Sequence, residues 1–198
     1  GIGTLALLAG CLGGGGGDGT ETDLPTDTTD DSDDTRPSGT GGPGLALVST
    51  DERPDAPVRP EIEVTRDAAT ADHPPGLRAT VTNEGDRTLT LGEGRAIVFA
   101  YRYDTSDQLQ LLPAGEDYPA EPDCWRLTEP IAVTEEYQMV TLEPGESTSR
   151  DLELYGAPGE DACLPVGTFR FESPFSVMDE PDGEEVASFT WGFEVSLE

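Results

Sequence analysis

Lysine is absent from this 198-residue chain, histidine and asparagine occur once each, as His73 and Asn83, and cysteine occurs three times. Without lysine there is no phosphate loop of the Walker type and no Schiff-base or pyridoxal chemistry. One histidine leaves neither the two-histidine copper site of small anchored sandwiches nor a histidine-rich zinc site. His73 itself, in Ala71-Asp72-His73-Pro74-Pro75, is expected in an exposed loop. The Gly-x-Ser-x-Gly elbow of serine hydrolases is missing as well. No apolar run approaches the roughly 20 residues that cross a bilayer. Hydrophobic residues make up 34% of the chain and aromatics 7%, less than a compact globular chain usually carries. Part of the chain is therefore expected to stay outside any core. Catalytic residues, metals and cofactors are not expected.

What is abundant is negative charge. The chain carries 41 Asp and Glu against 11 arginines, a formal net charge of −30. Such a chain repels nucleic acid phosphates, so nucleic acid is not an expected partner. An acidic tail does not account for the imbalance. Residues 12–43 hold eight carboxylates and Arg36; removing these from 41 and 11 leaves 33 and 10, a net −23 for the rest of the chain. A compact domain with that charge repels itself, and molar salt removes most of the repulsion. This lysine-free, carboxylate-rich composition resembles that of proteins secreted by extremely halophilic archaea, a resemblance that implies folding in molar salt.

The first eleven residues, Gly1 to Cys11, are a short apolar run ending in small residues, which reads as the end of a signal peptide. Leu8-Ala9-Gly10-Cys11 resembles the lipobox of prokaryotic lipoproteins. The resemblance implies lipidation of Cys11 on sulfur, with Cys11 as the first residue of the mature chain. The protein would then be held on the extracellular face of the cell membrane by a diacyl-type anchor, which suffices for stable attachment. A core helix through Cys11 is opposed by Gly13 to Gly17, each costing about 1 kcal/mol in a helix.

Residues 12–43 are rich in Gly, Asp, Thr, Ser and Pro and cannot bury enough surface to offset their ordering entropy. They read as a disordered acidic stalk spanning roughly 30 Å. Its threonines are also compatible with O-glycosylation.

Residues 44–198 read as one all-β domain. Ile62 and Val64 alternate with charged neighbours, as do Leu77, Ala79 and Val81. Further strands are predicted at 88–91, 95–103, 108–112, 125–127, 137–142, 149–154, 167–171 and 186–197. Turns are predicted at Asn83-Glu84-Gly85-Asp86 and Asp182-Gly183 from residues tolerant of positive φ, and at Pro144-Gly145 as a type II turn. Eight to ten short strands without an amphipathic helix predict an antiparallel β-sandwich. Cys124 and Cys163, an even pair once Cys11 carries lipid, read as a disulfide in an exported chain.

Val81-Thr82-Asn83-Glu84-Gly85, Leu142-Glu143-Pro144-Gly145-Glu146 and Pro165-x-Gly167-Thr168-Phe169 resemble segments of bacterial and archaeal immunoglobulin-like domains. Their order is also similar to that in BsuPI-type proteinase inhibitor domains. The first resemblance implies an immunoglobulin-like sandwich with Trp125 packed near the Cys124–Cys163 bridge, although the tryptophan stands much closer to its cysteine than in immunoglobulins. The second implies exposed inhibitory loops, for which 104–107 and 156–160 are the candidates. The function expected is a non-catalytic surface module with a protein partner at the cell surface. The alternatives are an extracellular proteinase inhibitor and a hydrolase using carboxylates alone.

Overall fold

A computed structural model describes residues 43–94, 97–134, 136–179 and 183–198. Cys11 and the stalk up to residue 42 lie outside the described residues. Pro43, assigned above to the stalk, is buried and belongs to the domain.

The expected antiparallel sandwich is what the chain forms, and the described residues contain no helix. The strands are β1 (Leu45–Thr50), β2 (Val58–Arg66), β3 (Gly76–Asn83), β4 (Leu89–Gly94), β5 (Arg102–Tyr103), β6 (Leu109–Pro113), β7 (Gln138–Leu142), β8 (Ser147–Gly156), β9 (Gly167–Met178) and β10 (Glu185–Leu197). One sheet runs β1-β10-β9-β4-β7 and the other β2-β3-β8-β6-β5. The chain enters and leaves at one place: Gly44 and Glu198 exchange backbone hydrogen bonds of 2.7 and 3.0 Å.

The β9–β10 hairpin carries most of the aromatic core. Phe169, Phe171, Phe175 and Val177 alternate along β9, and Trp191, Phe193, Val195 and Leu197 along β10, all buried. They face Leu77, Ala79, Val81, Leu109, Leu111, Leu152 and Leu154 from the second sheet in one cluster. Phe99 reaches into this cluster from a loop and meets Phe175, Trp191 and Phe193 edge-on at 5.9, 5.9 and 5.2 Å. Burying a side chain of this size stabilises the fold by roughly 1.5–3 kcal/mol.

One predicted turn and two predicted strands change form. Asn83 does not supply a left-handed turn residue; it is fully buried and ties two turns together. Its Nδ2 donates to the carbonyls of Arg87 and Leu142, its Oδ1 accepts from the Gly85 N–H, and its own carbonyl accepts from Gly145. The Pro144-Gly145 turn forms as expected, with Gly145 at φ 80° and Glu146 N–H donating to the Glu143 carbonyl. Asp182 lies outside the described residues.

The expected strand 95–103 is only Arg102–Tyr103. Residues 97–101 form bends and a turn, with Val98, Phe99 and Tyr101 at φ near 60°. Residues 125–127 make isolated bridges, Arg126 with Gly156 and Leu127 with Ala120, and no strand.

The segment from 114 to 131 lies over the outer face of the second sheet. There Leu112, Leu127 and Tyr155 form a small second cluster, with Tyr118 and Trp125 against Tyr155. Cys124 and Cys163 are bonded, with Cα atoms 4.9 Å apart, and fasten this segment to the loop after β8. Packing at that point is tight: a Cβ added at Gly156 would collide with the Cys163 carbonyl oxygen. Gly156→Ala is expected to cost about 3 kcal/mol, measurable by urea denaturation at fixed salt. A cost below 0.5 kcal/mol would mean that the Cys163 loop yields freely.

Candidate functional site

The sandwich has an open seam. Pairing between β4 and β9 covers Thr90–Gly92 against Ser176–Met178 and then stops. Two positions further along that register come Gly94 and Pro174. Pro174 has no N–H to donate to a ladder, and Gly94, at φ 126°, turns the chain away. After the intervening loop the chain returns as β5, whose end meets β9 again at an Asp104–Phe171 bridge. Glu172, Ser173 and Pro174 therefore border a gap between β4 and β5.

Glu93 closes the inner side of this gap. Its side chain is 99% buried, and both oxygens accept hydrogen bonds: Oε2 from the Val98 N–H, Oε1 from the Phe99 N–H at 2.8 Å and the Ser173 hydroxyl at 2.6 Å. Ser173 Oγ accepts in turn from Arg102 Nη2 at 2.8 Å, and Arg102 Nη2 lies 4.0 Å from Glu93 Oε1. Pinning two successive N–H groups holds 97–101 in a bend rather than a strand, with Phe99 directed into the core. Burial raises the Glu93 pKa above its ordinary value of 4.5, against the opposing effects of Ser173, the two N–H groups and Arg102.

A raised carboxyl pKa means that the folded state holds the proton more tightly than the unfolded state. The contribution is fully present below pH 4.5 and is lost as pH rises through the raised value. Glu93→Gln is expected to remove that slope from the stability–pH curve. It should also lower stability by about 1–3 kcal/mol, because an amide N–H₂ would confront a backbone donor. Urea denaturation of both proteins from pH 4 to 8 checks this, and parallel curves would refute it.

Outside this cluster the seam opens into a groove of ≈ 550 Å³. Tyr101, Tyr103, Ile131, Val133 and Pro174 form much of its wall, and Glu93 is the one carboxylate among its described lining residues. The Tyr103 pKa is raised by burial and, next, by Asp107. Two further residues are distinctive. Arg102 Nε and Gln110 Oε1 are the only buried side-chain nitrogen or oxygen atoms among the described residues that lack a hydrogen-bond partner, and both residues line this groove. Gln110 is 2% exposed. An unmet buried polar atom costs about 1–3 kcal/mol, and native structures hold few. A wider, shallow depression between β1 and β2, lined by Leu45, Leu47, Ile62 and Val64 among others, has no such feature.

The residues singled out by sequence fall elsewhere. His73 is half-buried rather than exposed: its N–H and that of Asp72 donate to Thr70 Oγ1, and its Nδ1 lies 3.3 Å from the Pro74 carbonyl. Trp125 packs against Tyr155 and donates from Nε1 to the Thr70 carbonyl at 2.7 Å. In the 104–107 turn, Asp104 is buried, and its carboxylate accepts from the Ser106, Gln108 and Leu109 N–H groups and the Ser106 hydroxyl. In 156–160, Gly156 and Ala157 are buried, while Gly159 and Glu160 are exposed. Among the described residues no three His, Cys, Asp or Glu side chains converge as a metal cluster would require.

None of Glu93, Arg102, Gln110 or Ser173 was flagged by sequence. The signal was present as alternation: Glu93 continues the inward row of Leu89 and Leu91, and Ser173 interrupts the row Phe169, Phe171, Phe175, Val177. A polar residue at an inward position needs a partner, and these two found each other. Compared with known proteins, the chain matches no family model, and no curated protein matches it either.

Proposed function

We propose that this chain is a non-catalytic, lipid-anchored protein of the extracellular face of the cell membrane, which presents an acidic sandwich as a binding module. The observation that carries the reading is the employment of its buried carboxylates. Glu93 holds the 97–99 bend and Asp104 the following turn. Glu153 pairs with Arg66 at 2.6 Å and accepts from the Tyr155 hydroxyl at 3.0 Å. General acid–base work requires a carboxyl within reach of substrate; these three are turned to architecture.

The anchor is tested by mass spectrometry of the native protein. The mature chain is expected to begin at Cys11 and to carry the mass of a diacylglyceryl thioether. A native chain that begins upstream of Cys11, or carries no hydrocarbon there, overturns the reading.

A second reading is extracellular proteinase inhibition, favoured by the rigidity of the 104–107 turn. A loop locked by four hydrogen bonds to one carboxylate loses little freedom on entering a protease cleft, which favours tight binding. This reading expects inhibition of an extracellular protease in molar salt that weakens at least tenfold in Asp104→Ala. Unchanged inhibition by that variant, or none by the native protein, removes it.

A further inference from the structure

We propose that the seam groove binds an extended, uncharged or basic peptide segment that wraps the edge of β5. The inference rests on the binding-module reading and names the chemistry of the partner.

Two unmet polar atoms, Arg102 Nε and Gln110 Oε1, belong to residues that line the groove. In the β5–β6 ladder, Arg102 stands opposite Leu111 and Tyr103 opposite Gln110. Successive residues of a strand face opposite sides. Arg102 points inward, where it bonds Ser173 on β9. Gln110 shares the outer face with Leu112, which belongs to the outer cluster, whereas Leu109 and Leu111 belong to the core. The unmet donor and the unmet acceptor therefore lie on opposite faces of the same pair of strands, and both residues line the groove.

A compact molecule meets one of these atoms. A ligand that meets both must carry an acceptor for Arg102 Nε and a donor for Gln110 Oε1, separated by on the order of 10 Å because the two side chains leave opposite faces of neighbouring strands. An extended polypeptide supplies a carbonyl and an N–H in every residue and covers that distance in about three residues. Addition of a strand or part-strand to a sheet edge is an established mode of peptide recognition. Tyr101, Ile131 and Val133 offer an apolar seat for a side chain between the two polar ends.

Charge narrows the class further. Arg102 is the one cation among the described lining residues, and it already faces Glu93. The net −23 of the chain outside residues 12–43 repels acidic ligands. The competing account is that buried water satisfies both atoms, as it does in many proteins.

The test uses the full chain in 3 M KCl, titrated with N-acetyl-Ala-Leu-Ala amide and followed by NMR shifts of the Tyr101, Tyr103 and Val133 amides. Saturable shifts are expected, at least tenfold weaker when Glu replaces the central Leu of the probe. Gln110→Leu removes the acceptor and is expected to weaken binding at least tenfold while thermal stability holds or rises. Val133→Trp, which fills the groove from a half-buried position in the 131–134 loop, is expected to abolish binding and serves if Gln110→Leu fails to fold. No saturable shift below about 20 mM, or unchanged affinity in Gln110→Leu or Val133→Trp, overturns the proposal in favour of bound water. Such a failure leaves the anchored-module reading intact if Cys11 carries lipid. A lipid-free native terminus sinks that reading without touching the titration.

Discussion

On dialysis from 3 M to 10 mM salt, the domain is expected to lose its β circular dichroism cooperatively. The reason is the net −23 carried outside the stalk. Spread over a sphere of about 19 Å radius, that charge stores on the order of 8 kcal/mol at 1 M salt and 35 kcal/mol at 10 mM, from Coulomb energies with Debye screening. The unfolded chain is also charged but more dilute, so only part of the difference opposes folding. Half of it equals the whole stability of an ordinary domain, about 5–15 kcal/mol.

The surface offers little to resist this. Arg53 and Arg59 pair with Glu84, Arg78 with Asp151, and Arg126 with Glu121, but these are partly exposed pairs worth about 0–1 kcal/mol each. Neighbouring carboxylates such as Glu116 and Asp117, Glu160 and Asp161, or Glu184 and Glu185 stand exposed together. A β spectrum that is unchanged in 10 mM salt, with an unfolding midpoint within 5 °C of that in 3 M, would contradict the expectation.

The second large effect belongs to the disulfide. Replacing both Cys124 and Cys163 with alanine is expected to lower stability by about 4 kcal/mol, the chain-entropy value for a closed loop of about 40 residues. The crosslink is the covalent fastening of 114–131 to the loop after β8. Its loss should therefore also loosen Trp125 from Thr70 and Tyr155, seen as a red shift of tryptophan emission before global unfolding. Urea denaturation at constant salt, with the emission maximum recorded in parallel, measures both. A loss below 1 kcal/mol would assign the hold on that segment to the outer cluster around Tyr155.

The fold was legible where two-residue alternation met turn residues. The row Leu77-Ala79-Val81, the strand at 167–171 and the Pro144-Gly145 turn belong to the eight to ten short, regularly spaced strands that predict a sandwich. Strand ends were less legible: β8 and β9 run past their expected limits, to Gly156 and Met178. The failure at 95–103 has a tertiary cause. Ile97-Val98-Phe99 has strong strand composition, but Glu93 captures two of its N–H groups and the core claims Phe99. Propensity yields to such capture because context outweighs it. The candidate groove was illegible for a related reason. Its parts come from β4, β5, β6, β9 and the 131–133 loop, and no local pattern states that these segments meet.

The shared location of chain entry and exit has a mechanical consequence. β1 starts at Leu45 and lies antiparallel to β10, with Leu45 opposite Leu197 and Thr50 opposite Phe193. A pull applied at Pro43 along the axis of β1 loads its pairing with β10. The load is then shared by the whole β1–β10 ladder in shear, instead of peeling its rungs apart in sequence. A tethered copy should bear more tension before rupture than one pulled across its strands.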